Sequence, residues 1–553
     1  MLARTLVPLF AAVLLAGCGK NSSTAPSAGG GSSVTPRAQV LRVGNGAEPE
    51  DLDPQAITGV TEAKLVMALF EGLLAPDPHD LHPVPGVAES WDISPDGLTY
   101  TFHLRANAKW SDGSPLTAQD FLDSWKRMLS PKFASEYAYL IYNFVVGAKD
   151  YYEGRLADFS KVGFAAPDER TVVVRLANPT PYLLSIIACH QAWFPVPLKA
   201  IARVGATDMK QTGWTQPGKI VGNGPFLLKE WLPRQKITVV RNPNYWDAAT
   251  VKLDAIEFYP IDDLSAEEQA FRTGRIDLTD SMPPAKIDTY RRDHADVFHL
   301  EPYLGLYFYR CNVSKPPLTD KRVRRALALA IDREAIVKNI TRGGQRPAYA
   351  VTPPGTAGYT PSAALPGGTP SAAREAALAE AKRLLAEAGY PGGKGCPPVE
   401  LLYNTSDAHK AVAEAVQQMW RETLGVEVRL TNQEWKVFLS SQHTHDYQMA
   451  RAGWIADYED PHVFLEIWSS DNGNNDTLWK NADYDRLLQS ALAAKSQNER
   501  YAIYQQMDAI LVDECPIIPI YYYTHVSARS PKVQGWFPTL LDLHPYKHVW
   551  LEK

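Results

Sequence analysis

Arg451, Trp454 and Asp457 place a guanidinium, an indole and a carboxylate within seven residues, inside the string ARAGWIADYEDP that runs from Ala450 to Pro461. The context reads as the end of a strand running into a loop. A free peptide calls for this set of groups: an acid for its terminal ammonium, aromatic and apolar walls, and a cation for its carboxylate. Taken alone, Asp457 also reads as a turn-capping aspartate, and each aromatic as a core residue.

Catalytic chemistry finds no comparable set. His443-Thr444-His445-Asp446 is the best metal-like cluster: in an alternating segment His443 and His445 share one face, but the later ligands that a hydrolase needs are missing. There is no HExxH, no P-loop and no GxSxG elbow. The chain is therefore read as a non-enzyme with no catalytic residue, metal or cofactor. Cys189, Cys311, Cys396 and Cys515 are far apart without CxxC spacing, which argues against zinc and redox motifs. In an exported protein some of them could pair, and spacing does not say which. Net charge is −6 and the isoelectric point about 6.1, so the chain offers no field for nucleic acid. The one dense basic run is Lys321, Arg322, Arg324 and Arg325. It interrupts an amphipathic helix carrying Val323, Leu327 and Ile331, and reads as a solvated helix face.

The N-terminus has Arg4, an apolar run from Leu6 to Ala16, and then Leu15-Ala16-Gly17-Cys18. So short a run reads as a cleaved signal peptide, residues 1–17, and not as a spanning helix. LAGC resembles the lipobox of bacterial lipoproteins, which makes Cys18 the lipidated first residue; an ordinary signal peptide with an incidental cysteine is the other reading. Residues 18–37 continue in Gly, Ser, Ala, Thr and Pro, too poor in large apolar groups to order themselves, and form a tether reaching on the order of 25 Å.

The rest exceeds what one core organises, so two or three lobes are expected. Strand alternation is clear at Tyr100, Phe102 and Leu104, at Val172, Val174 and Leu176, and at Ile237 and Val239. Leu378, Ala381, Leu385 and Ala388 follow a helical stripe, with Gly389 placed to end it in a left-handed cap. Interspersed strands and helices without an internal repeat give a mixed α/β chain and exclude solenoids and propellers.

Long ordered strings carry a further signal: VAESWDISPDGLTYTFHLR (Val87 to Arg105), AKWSDGSPLTAQDFLDSW (Ala108 to Trp125), LLYNTSDAHK (Leu401 to Lys410), NQEWK (Asn432 to Lys436) and PIYYYTHV (Pro519 to Val526). With the Ala450 to Pro461 string, they resemble the oligopeptide receptors of peptide ABC importers, within the family 5 extracellular solute-binding proteins, over nearly the whole mature chain. The resemblance implies a two-lobed α/β trap of the periplasmic-binding-protein type with an additional third domain. One lobe would take residues 38–72, 205–304 and 525–553, the additional domain 73–204, and the second lobe 305–524.

The same resemblance assigns Asp457 to the peptide's α-ammonium, and Arg451 and His409 to its carboxylate. Thr58, Gly59 and Val60 on one side, and Gly453, Trp454, Ile455 and Ala456 on the other, would sandwich the peptide as an added strand. Tyr137, Trp435, Trp454 and Tyr523 would wall its side-chain pockets. The chain departs from the family where an arginine falls at Gln442, where an acidic residue falls at Thr58, and where a disulfide pair falls at Gly305 and Ile455. The implied protein is a monomeric lipoprotein on a periplasm-facing membrane of a Gram-negative cell. It would pass short oligopeptides to an ABC permease whose separate subunits hydrolyse ATP. A receptor for murein peptides, a lipid-anchored sensor or chaperone without a permease, and a peptidase are the competing readings.

Overall fold

The computed structural model describes residues 38–367 and 371–552. The signal peptide, Cys18 and the linker to residue 37 lie outside the described residues. Among these, no helix is long and apolar enough to cross a membrane.

Three larger sheets, beside two two-stranded ones, organise the described residues. In the first, Val40–Gly44 lies parallel to Ala255–Tyr259, followed by Lys236–Arg241 and Phe226–Leu232 in antiparallel order. The helix Val60–Leu69 joins its core through Leu65, Val66 and Leu69, beside Leu41, Ile237, Val239 and Phe258. The second sheet orders Ala88–Ile93, Thr99–Leu104, Thr171–Arg175 and Phe164–Asp168. Here Tyr100, Phe102, Leu104, Val172 and Val174 face inward, as their period of two requires. The helix Ala118–Met128 packs on this sheet's core, and its start is fixed by the Asp120 carboxylate, which accepts from Thr117 N and Oγ1.

The third sheet has six strands in the order Arg346–Pro347, Ile517–Ala528, Phe298–Cys311, Met449–Ile455, Val399–Asn404 and Val428–Gln433. Its two long strands, Phe298–Cys311 and Ile517–Ala528, pair antiparallel but shift register between Pro302 and Leu306. On one side of the shift Val526 and Ala528 pack with Met282, Ile287 and Tyr290. On the other, Tyr307, Tyr309, Ile518 and Ile520 enter the core of Leu401 and Trp420. One strand pair thus belongs to two cores. Gly305 and Ile455 are direct partners across the neighbouring ladder, and the four described cysteines are free thiols.

Two sequence readings are corrected. Of the basic run, Arg324 is not solvated: it is 3 % exposed and donates to the carbonyls of Leu318, Glu514 and Cys515. Lys321 and Arg325 reach Asp513. The run therefore closes the C-terminal end of the helix Gln497–Glu514, where free carbonyls and the helix dipole favour cations. The segment His443 to Asp446 does not alternate. His443 ends the helix Trp435–His443, and His445 takes a left-handed φ of 57°, so the shared face of the two imidazoles does not form. The stripe ending at Gly389 does form a helix, Ser371–Glu387, with Gly389 at φ 96°.

Candidate functional site

The strand Met449–Ile455 brings its side chains to a cleft whose facing wall is the turn at Thr58, Gly59 and Val60, ahead of the helix Val60–Leu69. Two adjoining cavities of about 170 and 760 Å³ fill the cleft. Both are walled by Thr58, Gly59, Val60, Trp435, Arg451, Gly453 and Ile455. Tyr137, Trp454, Ala456 and Asp457 line the smaller cavity, and His409 and Tyr523 the larger. The fold thus gathers all thirteen candidate residues, from segments almost 470 positions apart, onto one cleft.

At one end stands Asp457, whose side chain is 11 % exposed. Its Oδ1 lies 3.4 Å from His190 Nε2, and its Oδ2 has no hydrogen-bond partner. Because His190 Nδ1 accepts from Ala192 N at 3.1 Å, the proton of the neutral ring sits on Nε2 and points at the carboxylate. Among the described residues no lysine or arginine pairs with Asp457. Tyr137 packs against both His190 and Trp454, with centroids 4.4 and 6.2 Å apart. Burial, and then the Asp457 charge, push its hydroxyl pKa well above the ordinary value. An acceptor of this kind, desolvated and half-used, suits an ammonium.

Further along the cleft, where both cavities meet, Arg451 donates to Asn404 Oδ1 at 3.2 Å and to Tyr523 Oη at 2.6 Å, with its guanidinium 4.9 Å from the Tyr307 ring. Among the described residues it has no carboxylate partner within 4 Å, its interactions being with Asn404 and tyrosines. His409 lies in the first turn of the helix Asp407–Leu424, its ring 5.6 Å from that of Tyr307. Burial, and then the Arg451 charge, hold its pKa well below the usual histidine value. It is therefore a neutral hydrogen-bonding group, and Arg451 and the helix N-terminus supply the positive potential.

Glu62 was not singled out by sequence, yet it joins the two walls. Fully buried, it accepts from Glu50 N at 2.9 Å, Thr61 Oγ1 at 2.9 Å and, across the cleft, Trp435 Nε1 at 3.1 Å. Burial raises its pKa. In the sequence it was one more acid in a first helical turn, and only the tertiary approach of Trp435 distinguishes it. His190, a lone histidine after an apolar helix, likewise carried no signal.

A charge cluster backs the cleft beside the register shift. Lys64 Nζ lies 2.6 Å from Asp280 and 3.6 Å from Asp542, and His525 Nδ1 lies 2.9 Å from Asp542. Against burial, the Asp542 carboxylate raises His525 to about 9. Burial and Asp280 push Glu267 up to about 8. In both cases the folded state holds a proton that the unfolded chain has released, so stability falls as pH rises through 4.5 to 8 for Glu267 and 6.5 to 9 for His525. The thermal midpoint is expected to drop by a few degrees between pH 5 and 9. In His525→Asn the part of this slope above pH 8 should flatten; an unchanged slope in scanning calorimetry refutes the assignment.

Comparison with known proteins agrees with this architecture. Residues 82–476 match the family model for bacterial extracellular solute-binding proteins, family 5. The chain is 41 % identical over 503 residues to the periplasmic oligopeptide-binding protein OppA of Escherichia coli K12, covering 90 % of each. The structure of Haemophilus influenzae OppA in complex with RPPGFSPFR superposes with a TM-score of 0.88 at 32 % identity, over 94 % of this chain and 99 % of that one. The murein tripeptide-binding protein MppA of Escherichia coli superposes with 0.88 at 36 % identity, over 94 % and 99 %. An unliganded open form of MppA gives only 0.60 at 35 % identity, over 93 % and 98 %. The fold is accordingly that of a two-lobed periplasmic binding protein of mixed α/β content, and the chain belongs to the family 5 bacterial extracellular solute-binding proteins.

Proposed function

We propose that this protein is the receptor of a peptide ABC importer, holding short peptides extended between two lobes and handing them to the permease. The observation that carries this reading is the spacing of opposite charges along one wall of the cleft. Asp457 offers a buried, unengaged oxygen at one end, and Arg451 a guanidinium free of any acid further along. Those are the complements of an α-ammonium and a carboxylate. Side chains would lie in the cavities between, against Tyr137, Trp435, Trp454 and Tyr523, while Gly59 and Gly453 let backbone approach backbone. The lobes would be residues 38–72, 205–304 and 525–553 against 305–524, with 73–204 as the added domain. The register shift between Pro302 and Leu306 is the natural place to flex. The higher similarity to the peptide complex than to the open form supports a shut arrangement. Cys18 would carry the lipid that keeps the receptor at the periplasmic membrane surface, and the protein would act as a monomer without catalysis.

Calorimetric titration with tri- and tetrapeptides tests the reading: saturable binding of free peptides is expected, with no cleavage of the recovered ligand by mass spectrometry. Absence of binding by any peptide defeats it. Similarity to MppA supports a second reading, a receptor for murein tripeptide, whose branch adds a carboxylate. Tighter binding of that peptide than of linear tripeptides would favour it.

A further inference from the structure

The smaller cavity has a polar wall that terminal recognition does not use. Arg310, Gln442 and Trp454 line it, and they are 6, 5 and 8 % exposed. They come from three elements: the strand Phe298–Cys311, the last turn of the helix Trp435–His443, and the strand Met449–Ile455. Each leaves one polar atom without a hydrogen-bond partner: Arg310 Nε, Gln442 Oε1 and Trp454 Nε1. Two of these are N–H donors and one is an acceptor. Native interiors rarely leave three such atoms unpaired on one wall.

The charge of this wall is already balanced. Arg310 is ion-paired through Nη1 with Asp476, which lines the same cavity. Position 442 carries a neutral amide. A carboxylate side chain entering here would approach Asp476, and an ammonium side chain would face Arg310, while Asp457 and Arg451 on the same cavity are taken by the peptide's own termini. An aliphatic side chain would seal these polar atoms away from water with no partner, which is unfavourable. A carboxamide offers this wall both an acceptor and donors without a charge. Its oxygen can accept from the N–H of Arg310 or of Trp454, and its NH₂ has a proton for Gln442 Oε1. If the Gln442 amide is turned over, a carboxamide partner still matches it, because each has one donor face and one acceptor face.

We infer that this wall selects an uncharged carboxamide side chain, asparagine or glutamine, at the first or second residue of the bound peptide. The inference rests on the peptide-receptor reading above and specifies its ligands. Asparagine and leucine are close to isosteric, so they separate hydrogen bonding from fit. Asn-Ala-Ala and Ala-Asn-Ala are titrated calorimetrically against their Leu and Asp counterparts, with Ala-Ala-Ala as reference. At one of the two positions asparagine is expected to bind at least about tenfold more tightly than leucine and than aspartate. In Gln442→Met that ratio should fall below about threefold; the ratio is unaffected by any general loss of affinity. If Ala-Ala-Ala binds while leucine equals or exceeds asparagine at both positions, or if Gln442→Met keeps the full ratio, the inference is overturned and the peptide reading stands. If none of the peptides binds, the peptide reading itself falls, and this inference with it.

Discussion

Asp457→Asn is expected to weaken binding of a free tripeptide by at least about thirtyfold, while leaving binding of the same peptide with an acetylated amino terminus almost unchanged. The substitution keeps shape and one acceptor but removes the negative charge. Removing one partner of a desolvated, hydrogen-bonded charge pair costs about 2–5 kcal/mol, most of it the penalty of leaving the other charge buried and unpaired. The site leaves little to soften that penalty. The carboxylate is 11 % exposed, and among the described residues its ion-pair neighbour is His190, which presents an N–H. Acetylated peptide carries no charge for Asp457 to meet, so wild type and variant should bind it equally and weakly. Calorimetry on the four combinations gives the coupling directly. Equal loss for both peptides would mean that Asp457 holds the loop and not the ligand.

The two charges of this cleft were visible in the sequence because their carriers are local. Arg451, Trp454 and Asp457 sit on one strand and the loop that leaves it, so a short string contains their chemistry and their spacing. The alternation of Tyr100, Phe102 and Leu104 was legible for the same reason: a strand's period of two survives in any short window. What stayed hidden depends on partners far along the chain. Arg324 looked like a surface cation because its four carbonyl acceptors lie at positions 318, 319, 514 and 515, most of them brought close only by folding. His443 looked like part of a strand because polar residues at alternating positions fit the frayed end of a helix equally well. Glu62 is the sharpest case of what stayed hidden, and Gln442, noted only as the place of a family arginine, showed no cavity-facing role in the sequence. Each is an ordinary polar residue on a helix until the opposite wall arrives, after which one joins the walls and the other faces a cavity.

That meeting of walls makes Gly59→Ala the second substitution with a large expected effect. A Cβ built on Gly59 would stand 2.0 Å from Glu62 Oε2 and 3.0 Å from Trp435 Cζ2. Neither neighbour yields cheaply. The carboxylate is fully buried and fixed by three donors, and the indole is anchored to that carboxylate through Nε1 while stacking on Phe438 at 6.0 Å. Gly59 opens a helix packed on the first sheet, whereas Trp435 opens one packed beside Leu402 and Ala450 of the third, so the methyl group acts as a wedge between the two. Overpacking of this size costs about 1–3 kcal/mol, and parting the walls relieves the part that comes from Trp435 but not the part from Glu62, which lies in the same helix start as Gly59. Peptide affinity should therefore fall roughly five- to over a hundredfold, and X-ray scattering should show less compaction on adding saturating peptide. The unliganded protein should also lose some thermal stability, because Glu62 belongs to the same helix start as Gly59 and its contact persists when the walls part. Removing the carboxylate as well, in Gly59→Ala/Glu62→Ala, clears the 2.0 Å contact but not the one to Trp435, so recovery of affinity should be partial. Wild-type affinity and compaction in Gly59→Ala would show that these walls do not come together around the ligand.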